Sequence, residues 1–217
     1  MGLENIKAVI FDKDGVLLDS LDTCYQAFSD MIQHFNLNEV SRDEFVKDFW
    51  GKKSGSNREK LEKNNSPSEN GEGKAEYYHM RRKELQHMSK LYPGVKNMLA
   101  GLKGRYHIAL VTNTEKSRAK SILDSFGILG YFDVIVGGEC TKPKPSPDPI
   151  LKACNEMGVE PSEALFVGDT KTDIDAGKSA GCNVAIVATS IPRKELDEID
   201  GICVLDNIAD VAKMLSN

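Results

Sequence analysis

The sequence predicts an α/β protein with a Rossmann-like, doubly wound parallel sheet, interrupted near its start by an inserted α-helical domain. Three observations carry that prediction. From Pro93 onward, short apolar runs alternate with amphipathic stretches at the spacing of βαβ units. From Leu21 to about Tyr92 the apolar residues follow helical periodicity alone. At the start, Val9-Ile10-Phe11 runs into Asp12-Lys13-Asp14-Gly15, which puts two acids at the carboxyl end of a strand, where open parallel sheets bind ligands. The core is therefore expected over residues 1–18 and 93–217, with the helical insertion over 19–92.

Within this frame each element has its own signal. The run ending at Phe11 reads as a buried strand, and Gly15 lets the chain bend after it. Leu21, Tyr25, Phe28, Ile32 and Phe35 share one helix face, with Asp19 or Ser20 as cap. Ser41-Arg42-Asp43-Glu44 has the form of a capping box and opens a second helix through Phe45, Val46, Phe49 and Trp50. Gly51 to Asn57 is a polar loop. Residues 62–74 contain no large apolar side chain, so they are expected to form a mobile loop. Tyr78, Leu85 and Met88 mark a third helix that ends near Tyr92-Pro93-Gly94.

The alternation then begins. Val95, Met98, Leu99 and Leu102 make a helix, and Ile108 to Val111 a strand leading into Thr112-Asn113-Thr114. Ala119, Ile122, Leu123 and Phe126 make the next helix, closed by Gly127. Val134 to Val136 is a strand, and Ile150, Leu151, Cys154 and Met157 a helix stopped by Gly158. Ala164 to Val167 is a strand leading into Gly168-Asp169, and the helix through Ile174 and Ala180 ends at Gly181. Val184 to Val187 and Ile202 to Leu205 complete the strands, and Ile208, Val211, Met214 and Leu215 the last helix.

Composition narrows the function. A net charge of -5 gives no reason to expect a nucleic-acid or anionic-membrane binder. No apolar run is long enough to span a bilayer, and no basic segment precedes a hydrophobic one, so a cytoplasmic protein is expected. The five cysteines are scattered and never spaced Cys-x-x-Cys, which predicts neither a disulfide framework nor a zinc site, but mostly small buried residues.

Three polar clusters follow later strands. Thr112-Asn113 offers a hydroxyl and an amide suited to phosphate oxygens, although such residues also cap helices. Lys142-Pro143-Lys144-Pro145-Ser146-Pro147-Asp148 surrounds lysines with prolines that restrict the backbone. Gly168-Asp169-Thr170-Lys171-Thr172-Asp173 sets two acids four residues apart at a strand-to-helix turn, where one could serve as a cap. With Asp12 and Asp14, these acids would gather about four negative charges in one crevice. That assembly calls for a hard divalent cation, most simply magnesium, together with a lysine.

In order and spacing, these segments resemble motifs I to IV of the haloacid dehalogenase superfamily of phosphohydrolases. The resemblance implies a magnesium-dependent phosphatase. It makes Asp12 the nucleophile, Asp14 the general acid and base, Thr112 and Asn113 phosphate-binding residues, and Lys144, rather than Lys142, the catalytic lysine. Asp12, Asp169, the Asp14 carbonyl and, directly or indirectly, Asp173 would hold the metal. Asp14 disfavours dehalogenation, whose motif I lacks the second acid, and it disfavours phosphonate cleavage in the same way. The mutase branch that includes beta-phosphoglucomutase is an alternative, but it places a histidine where this chain has Cys24. A non-catalytic phosphate-responsive module is a further alternative.

The best fit is to phosphoglycolate phosphatase-like enzymes acting on a small phosphorylated metabolite, with the helical insertion as a C1-type cap. In such a cap Lys52 and Lys53 fall in the specificity loop. Residues 51–90 carry ten Lys or Arg against six Asp or Glu, which suits an anionic substrate but equally a solvated helix face.

Overall fold

The computed structural model describes residues 5–52 and 71–215. The chain divides into two compact units, Met1–Leu18 with Leu91–Asn217, and Asp19–Lys90. Its elements, in chain order, are β1 (Ala8–Phe11), β2 (Leu18–Asp19), α1 (Leu21–His34), α2 (Arg42–Asp48), α3 (Gly71–Glu84), β3 (Lys90–Leu91), α4 (Val95–Leu102), β4 (His107–Val111), α5 (Lys116–Ser125), β5 (Val134–Val136), α6 (Asp148–Met157), β6 (Ala164–Gly168), α7 (Lys171–Ala180), β7 (Asn183–Val187), α8 (Arg193–Leu196), β8 (Cys203–Leu205) and α9 (Asp210–Met214). The two chain passages between the units, β2 and β3, pair with each other.

Among the described residues the first unit holds a six-stranded sheet in the order β5-β4-β1-β6-β7-β8, with every pairing parallel. Alternation along β1 sends Val9 and Phe11 into one apolar layer with α4 and α5 residues, and Ala8 and Ile10 into the other with α6 and α7 residues. Burial on both faces explains why these strands read as unbroken apolar runs. Gly158 and Gly181 close α6 and α7 in the left-handed region, φ +67° and +80°, as their positions predict.

The helical unit has its own core of Cys24, Phe28, Met31, Ile32, Leu37, Phe45 and Trp50. The Phe28 ring lies 4.9 Å from Phe45 and 4.7 Å from Phe49. The Ser41 hydroxyl accepts from the Glu44 N–H, and the Glu44 carboxylate accepts from the Ser41 N–H, which forms the capping box. Ser41→Ala is expected to lower the stability of this unit by about 1 kcal/mol. A shift of the urea midpoint with an unchanged m-value would show it.

Several expectations need correcting. Residues 71–74 are not loop but the first turn of α3, with Lys74 buried, while 62–70 lie outside the described residues. Tertiary burial overrides a weak local signal here. The third helix gives way at Leu85–Met88 to a 3₁₀ turn, and Met88 is exposed. Leu151 is exposed as well, because α6 turns Ile150, Ala153, Cys154 and Met157 inward and leaves it outside that stripe. Ser20 stands at the cap of α1, but its side chain accepts no capping hydrogen bond. Of the cysteines, Cys24 and Cys154 are buried and three are half-buried, and none is in a disulfide. No described helix is long and apolar enough to cross a membrane.

Candidate active site

The chain winds from β1 through β4 to β5 on one side of the sheet, then returns to β6, β7 and β8 on the other. The order therefore reverses at β1, and the carboxyl ends of β4, β1 and β6 flank the crevice that such a reversal opens. Thr112, Asp12 and Asp169 directly follow those three strands. The register pairs Phe11 with both Leu110 and Val167, so Asp12 sits beside Gly168-Asp169, and its N–H donates to the Val167 carbonyl at 2.9 Å.

Glycines let the carboxylates come this close to the backbone. A Cβ on Gly15 would lie 2.0 Å from Asp169 Oδ2, and Gly15 also has a φ of +81°. A Cβ on Gly168 would lie 2.3 Å from that of Asp173. At the start of α7, Thr170 donates to Asp173 Oδ2 from its hydroxyl at 2.6 Å and from its N–H at 3.1 Å. The other oxygen, Oδ1, accepts from Lys144 Nζ at 2.6 Å. Asp173 thus completes the capping box of Thr170 and is a partner of Lys144 at once.

Lys144 joins the two sides of the site. Its ammonium lies 2.9 Å from Asp12 Oδ1 as well as 2.6 Å from Asp173 Oδ1, with all three side chains buried. Asn113 holds it there: the amide oxygen accepts from the Lys144 N–H at 3.1 Å, and the amide nitrogen donates to the Lys144 carbonyl at 3.4 Å. The Asn113 side chain therefore fixes the lysine's backbone, a task that spacing alone did not suggest. The Lys144–Pro145 bond is cis. Thr112 is buried, and its hydroxyl accepts from the Thr114 N–H at 3.2 Å.

Charge and burial oppose each other here. Burial pushes the Asp12 carboxyl up, the Lys144 ammonium pulls it down, and the Asp173 and Asp14 carboxylates push it up, which together leave it at about 6 against an ordinary 3.8. Burial pulls the Lys144 ammonium down, but Asp12 and Asp173 more than offset this and hold it above the usual lysine range. Lys144 is thus a fixed positive charge.

Four residues at the site went unnoticed in the sequence. Lys13 is fully buried and its Nζ lies 2.5 Å from Asp14 Oδ2. Thr170 caps α7. From the loop after β7, the Thr189 hydroxyl donates to the Gly15 carbonyl at 2.6 Å, and the Ser190 hydroxyl donates to Asp169 Oδ2. Of the expected substrate contacts, Lys52 belongs to the helical unit, where its Nζ donates to the Lys47 carbonyl at 3.3 Å. Lys53 lies outside the described residues.

The donor set fits a metal ion. Asp12, Asp169 and Asp173 each offer a buried carboxylate oxygen, all within 4.8 Å of one another. These three carboxylates face one ammonium group, Lys144, and two negative charges remain. Hard oxygen donors with that residual charge suit a hard divalent cation.

The whole chain has known relatives. Residues 9–187 match the family model described as haloacid dehalogenase-like hydrolase. The chain is 33% identical to a phosphoglycolate phosphatase of Aquifex aeolicus (strain VF5) over 218 residues, covering 98% of each protein. It is similar, at 28% identity and a TM-score of 0.75, to the crystal structure of a "predicted phosphoglycolate phosphatase" from Haemophilus somnus, covering 97% of this chain and 98% of that one. CbbY from Rhodobacter sphaeroides, solved in complex with phosphate, shares the fold, with a TM-score of 0.81 at 24% identity over 95% of this chain and 96% of that one.

Proposed function

The chain belongs to the haloacid dehalogenase-like hydrolases, and on that premise we propose that it is a cytoplasmic, magnesium-dependent phosphatase of small phosphomonoesters, phosphoglycolate phosphatase-like in its substrate. One observation carries this reading: Lys144 bridges Asp12 and Asp173, at 2.9 and 2.6 Å, beside a cluster of three buried carboxylates. The name and full-length coverage of the Aquifex relative support the substrate class.

Asp12, Asp169 and the Asp14 carbonyl would hold magnesium with Asp173 alongside, and the ion supplies positive charge against the phosphoryl oxygens. Asp12 attacks phosphorus, and the bond to the leaving oxygen breaks as an aspartyl-phosphate forms. Lys144 and the Thr112 hydroxyl hold the phosphoryl group, with Asn113 acting through its grip on Lys144. Asp14, protonated at the outset, gives that proton to the leaving oxygen. It then takes one from the water that attacks the acyl phosphate, which restores Asp12 and releases phosphate. To the helical unit we assign the role of a C1-type cap, and to Lys52 and Lys53 that of contacts for the substrate's anionic end. Cys24, where the mutase branch has its histidine, is buried in the core of that unit, which supports hydrolysis over isomerisation.

The test is release of inorganic phosphate from p-nitrophenyl phosphate and from a panel of esters including 2-phosphoglycolate, with magnesium and with excess EDTA. The expected result is turnover that EDTA removes and magnesium restores, fastest with a small aliphatic ester. Turnover unaffected by EDTA, or none on any ester, would overturn the reading.

Metal binding is also expected to follow pH. A proton on Asp12 removes a ligand, and Asp12 takes up that proton at about 6. Magnesium should therefore raise the melting temperature at about pH 7.5 and much less at about pH 5. Differential scanning fluorimetry, which needs no turnover, reads the difference.

A further inference from the structure

Lys13 stands between the two motif I acids, and its side chain is fully buried, among the largest of the described residues to be so. An ammonium out of water is heavily penalised unless an opposite charge meets it. If position 13 needed only volume, methionine or leucine would fill it without that penalty. Here the charge is met: Lys13 Nζ lies 2.5 Å from Asp14 Oδ2. The backbone that aims this side chain is itself pinned. The Leu17 and Leu18 N–H groups both donate to the Lys13 carbonyl at 3.0 Å, and the Gly15 N–H donates to Leu18 at 2.8 Å. The Thr189 hydroxyl ties the Gly15 carbonyl at 2.6 Å.

We propose that Lys13 is a positioning residue, whose buried ammonium engages Asp14 Oδ2 and so orients Oδ1, the oxygen that carries the proton, for exchange with the leaving group and then with water. The inference rests on the role given to Asp14 above. A short side chain such as aspartate's has two rotatable bonds, and a salt bridge to a rigidly seated ammonium removes that freedom. Pre-organisation of this kind serves the transition state because it is in place before the reaction starts.

The leaving group provides the test. An aliphatic alkoxide needs a proton as it departs, whereas p-nitrophenolate does not, so a residue acting through Asp14 matters for the first and little for the second. kcat/KM, which reports the steps up to cleavage of the ester, is measured for the fastest aliphatic ester of the panel and for p-nitrophenyl phosphate. The proteins are the wild type, Lys13→Met, Asp14→Asn and the double variant. Asp14→Asn is expected to lower the aliphatic value by about 100-fold or more. Lys13→Met should lower it by about 10- to 100-fold, and change the p-nitrophenyl value by less than about three-fold. On the Asp14→Asn background Lys13→Met should make almost no further difference.

Equal losses on both substrates, additive losses in the cycle, or no loss in folded Lys13→Met would each overturn the inference. Should Lys13→Met not fold, Lys13→Gln, which keeps a hydrogen-bond donor without the charge, takes its place in the same cycle. If Asp14→Asn itself does not distinguish the two esters, the role given to Asp14 fails. If Asp14→Asn distinguishes them and the Lys13 variants do not, only the role of Lys13 fails.

Discussion

Asp12→Asn is expected to lower kcat by roughly 10⁴-fold or more while leaving the metal-free protein as stable as before, or more so. The first part follows from chemistry, because an amide oxygen cannot displace the leaving group to form an acyl phosphate. The second follows from burial. The Asp12 carboxyl is raised from 3.8 to about 6, so keeping it ionised in the folded protein works against folding. The sign is fixed by which state binds the proton more tightly. Between about pH 4 and pH 6 the folded state holds it and the unfolded state does not. Asp12's contribution to stability is full below that window, falls as pH rises through it, and levels off above. Asparagine has no such dependence, so urea titrations of the two metal-free proteins should converge at low pH. They should separate in favour of the variant above pH 6, offset by whatever Lys144 loses with one of its two carboxylate partners.

Lys144→Met is expected to be damaging on both counts. Methionine fills much of the same volume, but Asp12 and Asp173 would then share a buried site with no ammonium between them. Breaking a buried pair in this way typically costs about 3–5 kcal/mol. Loss of a fixed positive charge at a phosphoryl group lowers turnover by about 100- to 1,000-fold. Arginine should not substitute. The Lys144 ammonium is a point charge between two carboxylates and 5.4 Å from the centre of the Phe166 ring, and a planar guanidinium has a different shape and direction of donation. Chemical denaturation gives the stability loss, and the Mg²⁺-dependent rate of the folded fraction gives the catalytic one. Addition of magnesium should recover part of the stability, since a cation then meets the same carboxylates.

The fold was open to reading because strands buried on both faces leave unbroken apolar runs, and glycines at the ends of α6 and α7 mark where those helices stop. The acids at the ends of β1 and β6 were conspicuous for a related reason: a charged residue directly after such a run has few structural explanations. Other parts left no trace of that kind. Ser190 reaches Asp169 because β7 lies beside β6, with Gly168 level with Ile186, and nothing near position 190 encodes that adjacency. Lys13 reads as a variable spacer between two acids, since a lysine beside carboxylates is ordinarily a solvated neighbour. Its burial comes from the tertiary structure. Asn113 reads in the sequence as a donor for phosphate, and its grip on the backbone of Lys144, 31 positions away, comes from the tertiary structure. Residues 71–74 are polar enough to suggest a loop, yet form the first turn of a helix that packs on α1.

The most direct trial of the account is to quench the enzyme during turnover of its best ester, reduce with borohydride, and locate the product by peptide mass spectrometry. An acyl phosphate is reduced to the alcohol, so homoserine at position 12, dependent on substrate and missing from Asp12→Asn, is the predicted result. Homoserine at a different aspartate, or phosphate release with no reducible intermediate at position 12, would contradict it.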